Sequence, residues 1–320
     1  MSGSDELIKG IHQKDPWSLG RLARMIDDDL PGKDEVLARL HAMGGHSRVV
    51  GITGPPGAGK STLISSLIRE GRKLDRTIAI LAVDPTSPYS GGAVLGDRVR
   101  MQEHATDPGV YIRSLATRGH MGGLSRSVQY LITLLDAAGF DLIILETVGI
   151  GQEEVEIKDL AQTIVFVTVP GLGDGIQAMK AGVLEIAHIY LVNKADQPMA
   201  DSTVKDLQTM LSLSDDESAW IPPVLTSVAT EGTGVAGIME ELDRHFTHME
   251  ASGGLDDWRG SVAGSTITEA VRGIIEESLK ELFNGNNAEF EADIGRVTRK
   301  EEDPLSVARR WLAKLNFKQD

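Results

Sequence analysis

Gly54-Pro55-Pro56-Gly57-Ala58-Gly59-Lys60-Ser61 carries the spacing G-x-x-x-x-G-K-[ST]. Glycines at that spacing let successive backbone N–H groups turn inward around an anion, and a helix starting where the run ends adds the positive end of its dipole. The Lys60 cation then suits β- and γ-phosphate oxygens, and the Ser61 hydroxyl suits Mg2+, a hard ion that prefers oxygen ligands. With Thr62 opening the helical run that follows, these residues predict a nucleoside-triphosphate cradle.

Such a cradle does not separate ATP from GTP, so the base must be read elsewhere. Asn193-Lys194-Ala195-Asp196 follows an apolar run, where N-K-x-D stands at a strand end in GTPases. A carboxylate at Asp196 can accept from both guanine N1–H and N2–H2, a donor pair that adenine lacks. Sites whose polar groups go unpaired with the wrong ligand discriminate by about 10⁴–10⁵. Asn193 and Lys194 are expected to buttress the loop and flank the base. Ser227, Val228 and Ala229, after the next β-type run, are expected to present backbone N–H groups to the guanine carbonyl.

Metal and water call for acids. The apolar run Leu142–Leu145 ends in Glu146 and is followed by Thr147-Val148-Gly149. An acid there reaches Mg2+, and the Gly149 N–H is placed to touch the γ-phosphate. Asp is the usual acid, and the longer Glu146 favours a contact through water. Asp84 and Asp97, on segments after the second β-type run, are further candidates for the metal. The residue that orients the attacking water stays open among Gln152, Glu153 and Glu154, because Ile150 directly after Gly149 cannot hydrogen-bond water. The expected ligands are therefore GTP or GDP with Mg2+.

These residues need a frame that brings them to one place. From Arg48 the chain alternates short, nearly continuous apolar runs with helical stretches: Val49–Thr53, Ile78–Val83, Val110–Ser114, Leu142–Glu146, Ile164–Val169, Ile189–Val192 and Val224–Ser227. Strands of that kind are buried on both faces, which predicts an α/β fold with a mainly parallel sheet flanked by helices. Residues 1–45 are expected to form a helical extension broken once, at Pro31-Gly32, and residues 46–250 the nucleotide domain. The polar stretch Ala251–Asp257 is expected to be a linker. Helices should follow to residue 320, with one apolar stripe through Ile267, Val271, Ile274, Ile275, Leu279 and Leu282, and another through Val307, Trp311, Leu312 and Leu315. Such stripes either dock on a partner copy or pack on the central domain.

Composition narrows the class. Acids outnumber bases 47 to 32, a formal net charge of −15, which disfavours nucleic acid and anionic membrane as partners. There is no cysteine, so disulfides, thiolate metal sites and cysteine nucleophiles are excluded. No run reaches the roughly 18 apolar residues a membrane span needs. Met1–Lys14 lacks the pattern of a leader, so a soluble, cytoplasmic protein is expected.

Asp84-Pro85-Thr86-Ser87-Pro88, Leu95-Gly96-Asp97-Arg98, Ala116-Thr117-Arg118-Gly119-His120 and Glu146-Thr147-Val148-Gly149-Ile150-Gly151-Gln152 together resemble the MeaB/ArgK family, which includes methylmalonyl-CoA mutase-associated GTPases. The resemblance runs from about Arg48 to Ser227 and more loosely beyond. It implies a G domain with an N-terminal helical extension, a C-terminal dimerisation arm and a homodimer. By position it implies Lys60 and Ser61 on phosphate and Mg2+, Asp84, Asp97 and Glu146 around the metal, and Asn193, Lys194 and Asp196 on guanine. Glu154 matches an acid that the family keeps, and Gly171–Lys180 a segment that relays nucleotide state to the partner. The implied role is a GTP cycle that gates adenosylcobalamin loading into a cobalamin-dependent acyl-CoA mutase and protects that enzyme. A metallochaperone GTPase and a small-molecule kinase are the competing readings, and neither a histidine-rich donor site nor a transporter-facing feature is visible for them.

Overall fold

Seven runs rich in Val and Ile pair into one sheet, every ladder of which is parallel. The strands are β1 (Arg48–Thr53), β2 (Ile78–Pro85), β3 (Val110–Thr117), β4 (Leu142–Glu146), β5 (Thr163–Thr168), β6 (Ile189–Asn193) and β7 (Val224–Ser227), in spatial order β3-β2-β4-β1-β5-β6-β7. This computed structural model describes residues 3–85, 101–117, 123–147, 157–171, 186–212, 220–285 and 287–314. Each parallel step requires a crossover, and the helices α4 (Lys60–Lys73), α5 (Gly123–Ala137), α6 (Ala200–Ser212) and α7 (Val235–Ser252) lie between strands or after the last one.

Alternation along the strands sorts the core into two layers. Ile143 and Leu145 of β4 join the layer formed with α5 and the three N-terminal helices. Leu142 and Ile144 face the opposite layer, with Leu63, Ile64, Leu67 and Ile68 of α4 and Val235, Ile238 and Leu242 of α7. Glu146 shares the parity of Leu142 and Ile144 and therefore meets α4. Because all strands point the same way, their C-terminal ends form one edge, with β1 in the middle. In open parallel sheets ligands bind beyond that edge, where connections depart to either side.

The N-terminal helices are α1 (Gly3–His12), α2 (Pro16–Asp27) and α3 (Lys33–His41). The chain thus breaks twice, not once. The unexpected break is at Lys14, whose φ of 53° leaves the helical region, with Asp15 capping α2 through the Ser18 amide at 2.9 Å and Pro16 in the first turn. Leu7, Ile11, Leu19, Leu22 and Leu40 are buried in the same layer as strand residues Leu81 and Ile143. The expected linker at Ala251–Asp257 shrinks to one residue, Gly253, at φ 81° between α7 and α8 (Gly254–Gly285).

The chain divides into two compact units, Met1–Val262 and Ala263–Asp320. In the second, α9 (Asn287–Thr298) and α10 (Pro304–Leu312) follow the end of α8. Asp293 is 1% exposed there; burial alone would raise its carboxyl, but it accepts from Trp311 Nε1 at 2.7 Å and Arg310 at 3.0 Å, and these bonds with the charges of Arg296 and Arg310 hold it below the usual range. The rings of Phe283, Phe290 and Trp311 stand 4.6–5.5 Å apart and complete this small core.

At the N-terminal edge of the sheet the rings of His188 and His245 lie 4.3 Å apart, tilted by 38°, with Trp220 4.7 Å from His245. His188 Nδ1 accepts the Ile164 amide at 3.0 Å, and His245 Nδ1 lies 2.9 Å from Thr163 Oγ1. Burial lowers both imidazoles, to about 4 for His188 and about 3 for His245, where His188 and His248 add to the effect. An unfolded chain takes up both protons near pH 6.5, while the folded chain refuses them until far lower pH. The contribution is therefore complete above pH 6.5 and is lost on acidification, by about 1.4 kcal/mol per pH unit for each ring. Denaturant unfolding measured between pH 7 and 4.5 should show this slope, and His245→Phe should remove about half of it, leaving the part that His188 contributes. A pH-independent midpoint over that interval would contradict the assignment.

Candidate functional site

The turn after β1 is set by close approach. A Cβ on Gly54 would stand 2.0 Å from the Val167 carbonyl oxygen, and Gly54 has φ 139°. Only glycine lets the loop leave β1 pressed against the end of β5. Gly59, at φ 91°, caps α4, and a Cβ there would meet Asn193 Nδ2 at 2.5 Å. The second glycine thus serves the base-side segment as much as the phosphate turn. Pro56 and Gly57 are exposed at the tip, while Ala58 is buried.

Lys60 is 7% exposed, and its ammonium donates to the Gly54 and Pro55 carbonyls at 2.7 and 3.3 Å. The cation is thereby curled over the inside of its own loop. Ser61 and Glu146, 85 residues apart in sequence, meet at 2.7 Å, the Ser61 hydroxyl donating to Oε1. The β4 end is itself pinned: Glu146 stands opposite Ile52, the Thr147 amide donates to the Ile52 carbonyl at 3.2 Å, and the Thr147 hydroxyl meets that of Thr53 at 3.1 Å. A hydroxyl and a carboxylate side by side at the start of α4 are the hard, oxygen-only donors that Mg2+ takes from protein, its other positions going to phosphate and water. The glycine cradle and the buried ammonium fit a polyphosphate on the same terms.

The base-side residues are joined to the cradle directly. Asn193 is 2% exposed; its Nδ2 donates to the Ala58 carbonyl at 2.8 Å, and its Oδ1 accepts from Ser227 Oγ and the Ala229 amide, both at 3.1 Å. Lys194, held at φ 58°, reaches back to the Gly57 carbonyl at 2.9 Å. The Ala195 amide donates to the Ser227 carbonyl at 3.0 Å, which ties the β6 end to the β7 end and leaves Asp196 exposed beyond them. The Val228 amide already donates to the Thr233 carbonyl at 3.1 Å and the Ala229 amide to Asn193, so reading a guanine carbonyl with either amide requires the loop to exchange that bond.

Thr62 lies in the first turn of α4. Asp84 stands at the C-terminal end of β2, opposite Ala116. Asp97, Gly149, Gln152, Glu153 and Glu154 lie outside the described residues, as does most of Gly171–Lys180. Three contacts had no signal in the residue pattern: Ser65 with Glu103 and with His104, at 2.6 and 2.8 Å, and Ser66 with the Ala229 carbonyl at 2.6 Å. Serines inside a helix read as ordinary surface or back-bonded residues until the facing loop is known.

Comparison with known proteins places this geometry. The family model described as methylmalonyl Co-A mutase-associated GTPase MeaB matches residues 19–286. A putative GTPase of Pyrococcus abyssi is 45% identical over 95% of this chain and 94% of its own length. The GTPase ArgK of Escherichia coli is 32% identical over 87% and 86%. Among solved structures, one described as an LAO/AO transport system kinase shares the fold, with a TM-score of 0.72, 23% identity and 98% of each chain covered.

Proposed function

Starting from the fact that this chain belongs to the MeaB family of P-loop GTPases, we propose that it spends its GTP cycle on a cobalamin-dependent acyl-CoA mutase, gating adenosylcobalamin loading and protecting that enzyme. Guanine nucleotide binding and GTP hydrolysis come with the family. The observation that carries the site assignment is the double grip of Asn193 and Lys194 on the Ala58 and Gly57 carbonyls, which fixes the guanine-type motif at a set reach from the phosphate cradle.

Lys60 neutralises the phosphate oxygens, the cradle amides take up charge that develops during in-line attack of water, and Asp196 reads the purine edge. Ser61 would hold Mg2+ directly and Glu146 through water, and the ion would offset phosphate charge. Asp84 and Asp97 are the further acids we assign to it, and Gln152 and Glu154 the candidates for orienting water. Gly149 and Thr62 complete the phosphate side.

A second copy of the chain is the partner we assign to α8. On its 263–285 stretch Ile267 is 65% exposed, Val271 50%, Ile274 56% and Ile275 37%, an apolar stripe at helical spacing. No helix among the described residues is long and apolar enough to cross a membrane, and we place the cycle in the cytoplasm. One experiment tests the assembly: light scattering on the purified chain should give twice 34.4 kDa, and adding a cobalamin-dependent acyl-CoA mutase should form a larger complex and raise GTP turnover. Equal turnover with and without the mutase would defeat the proposal.

A further inference from the structure

The helix that carries Lys60 and Ser61 has two consecutive buried serines one turn farther on, Ser65 and Ser66, 4% and 2% exposed. Ser65 turns to Glu103 and His104. Ser66 turns the other way and donates to the Ala229 carbonyl at 2.6 Å, across 163 residues of sequence. Ala229 is 3% exposed, and its amide is held in turn by Asn193 Oδ1 at 3.1 Å. The peptides on both sides of Ala229 are therefore clamped, one to the base-side asparagine and one to the phosphate helix. Beyond it the loop closes through Val228 and Thr233, and Gly234 sits where a Cβ would meet the Thr226 carbonyl oxygen at 2.2 Å.

We propose that Ser66 is a positioning residue for purine selectivity, setting the distance between the phosphate helix and the loop that faces the purine 6-position. The proposal rests on the guanine reading above. For an amide of this loop to turn to a purine carbonyl, it must leave Asn193 or Thr233. The Ser66 bond to the next carbonyl is independent of that exchange and remains as the pivot. Without it the Ala229 carbonyl is buried and unsatisfied, and the loop relaxes toward whatever partner it finds. Asp196 is on β6's side and reads the opposite part of the base, so selectivity at the purine 2-position should not depend on Ser66.

Calorimetric dissociation constants for GDP, 6-thio-GDP and IDP separate the two positions. The unaltered chain should prefer GDP over both analogues. Ser66→Ala should shrink the preference for GDP over 6-thio-GDP by about two- to tenfold, the size of one neutral hydrogen bond, and leave the GDP to IDP ratio unchanged. Ser66→Cys, similar in size and a weaker donor, should fall between, and it carries the test if the alanine variant does not fold. A folded variant in which both ratios move together, or neither moves, overturns the proposal. Failure of the unaltered chain to bind GDP overturns it together with the guanine reading, whereas normal GDP binding with a Ser66-independent 6-position ratio overturns the proposal alone.

Discussion

Lys60→Ala should lower GTP hydrolysis by about a thousandfold. The ammonium is 7% exposed and points at the inside of the loop through the Gly54 and Pro55 carbonyls, whereas the Lys194 ammonium meets the exposed tip at Gly57. Charge developing on a transferring phosphoryl group is stabilised by such a preorganised, desolvated donor, and removing one costs about 10²–10³ in rate. Here the lost group also carries a full charge, which sets the upper end. Single-turnover release of phosphate, with a thermal unfolding curve to show that the loop survives, measures it. A rate within tenfold of the unaltered chain would remove Lys60 from the chemistry.

Asp196→Asn should weaken GDP binding by about a hundredfold and improve binding of XDP. The carboxylate offers two acceptors to N1–H and N2–H2, whereas an amide offers one acceptor and a donor that clashes with one of those hydrogens. Xanthine, with an oxygen at the 2-position, matches the amide instead. Complete mispairing in a buried site costs about 10⁴–10⁵, and Asp196 stands exposed beyond β6, so the expected loss is smaller. The backbone around it is fixed by Ala195 on Ser227 and Gln197 on Lys194, both at 3.0 Å, so the substitution changes the pairing and not the loop. Titrations with GDP, XDP and ADP decide it. GDP affinity within threefold of the unaltered chain would take Asp196 out of base recognition.

Both results concern residues that stand in short motifs, and this is where sequence speaks clearly. Gly54–Ser61 is local: positive-φ glycines, a strand before and a helix after are set by dihedral preference and hydropathy within about 25 residues. The strands were legible to within a few residues, because parallel strands buried on both faces read as unbroken apolar runs. Helix breaks were less so. Pro31-Gly32 announces itself, but the Lys14 break depends on a capping Asp15 before Pro16, and α9 carries no long stripe because its core is a carboxylate, Asp293, ringed by Arg310 and Trp311.

Residue types and spacing alone determined that this chain holds a nucleotide, that the base is guanine and that a parallel α/β sheet presents it, since each of these follows from nearest neighbours along the chain. Strand order was decided only by the tertiary structure, and with it every contact between motifs. Apolar runs do not say which run lies beside which, so nothing local brings Ser61 to Glu146 across 85 residues or Asn193 to Ala58 across 135. The alternation that turns Glu146 toward α4, and the loop closure that spends the Val228 and Ala229 amides inside the protein, arise from packing β4 beside β1 and β7 beside β6. A contact between distant segments is stabilised by the whole layer that brings them together, and for that reason it leaves no mark on either segment alone.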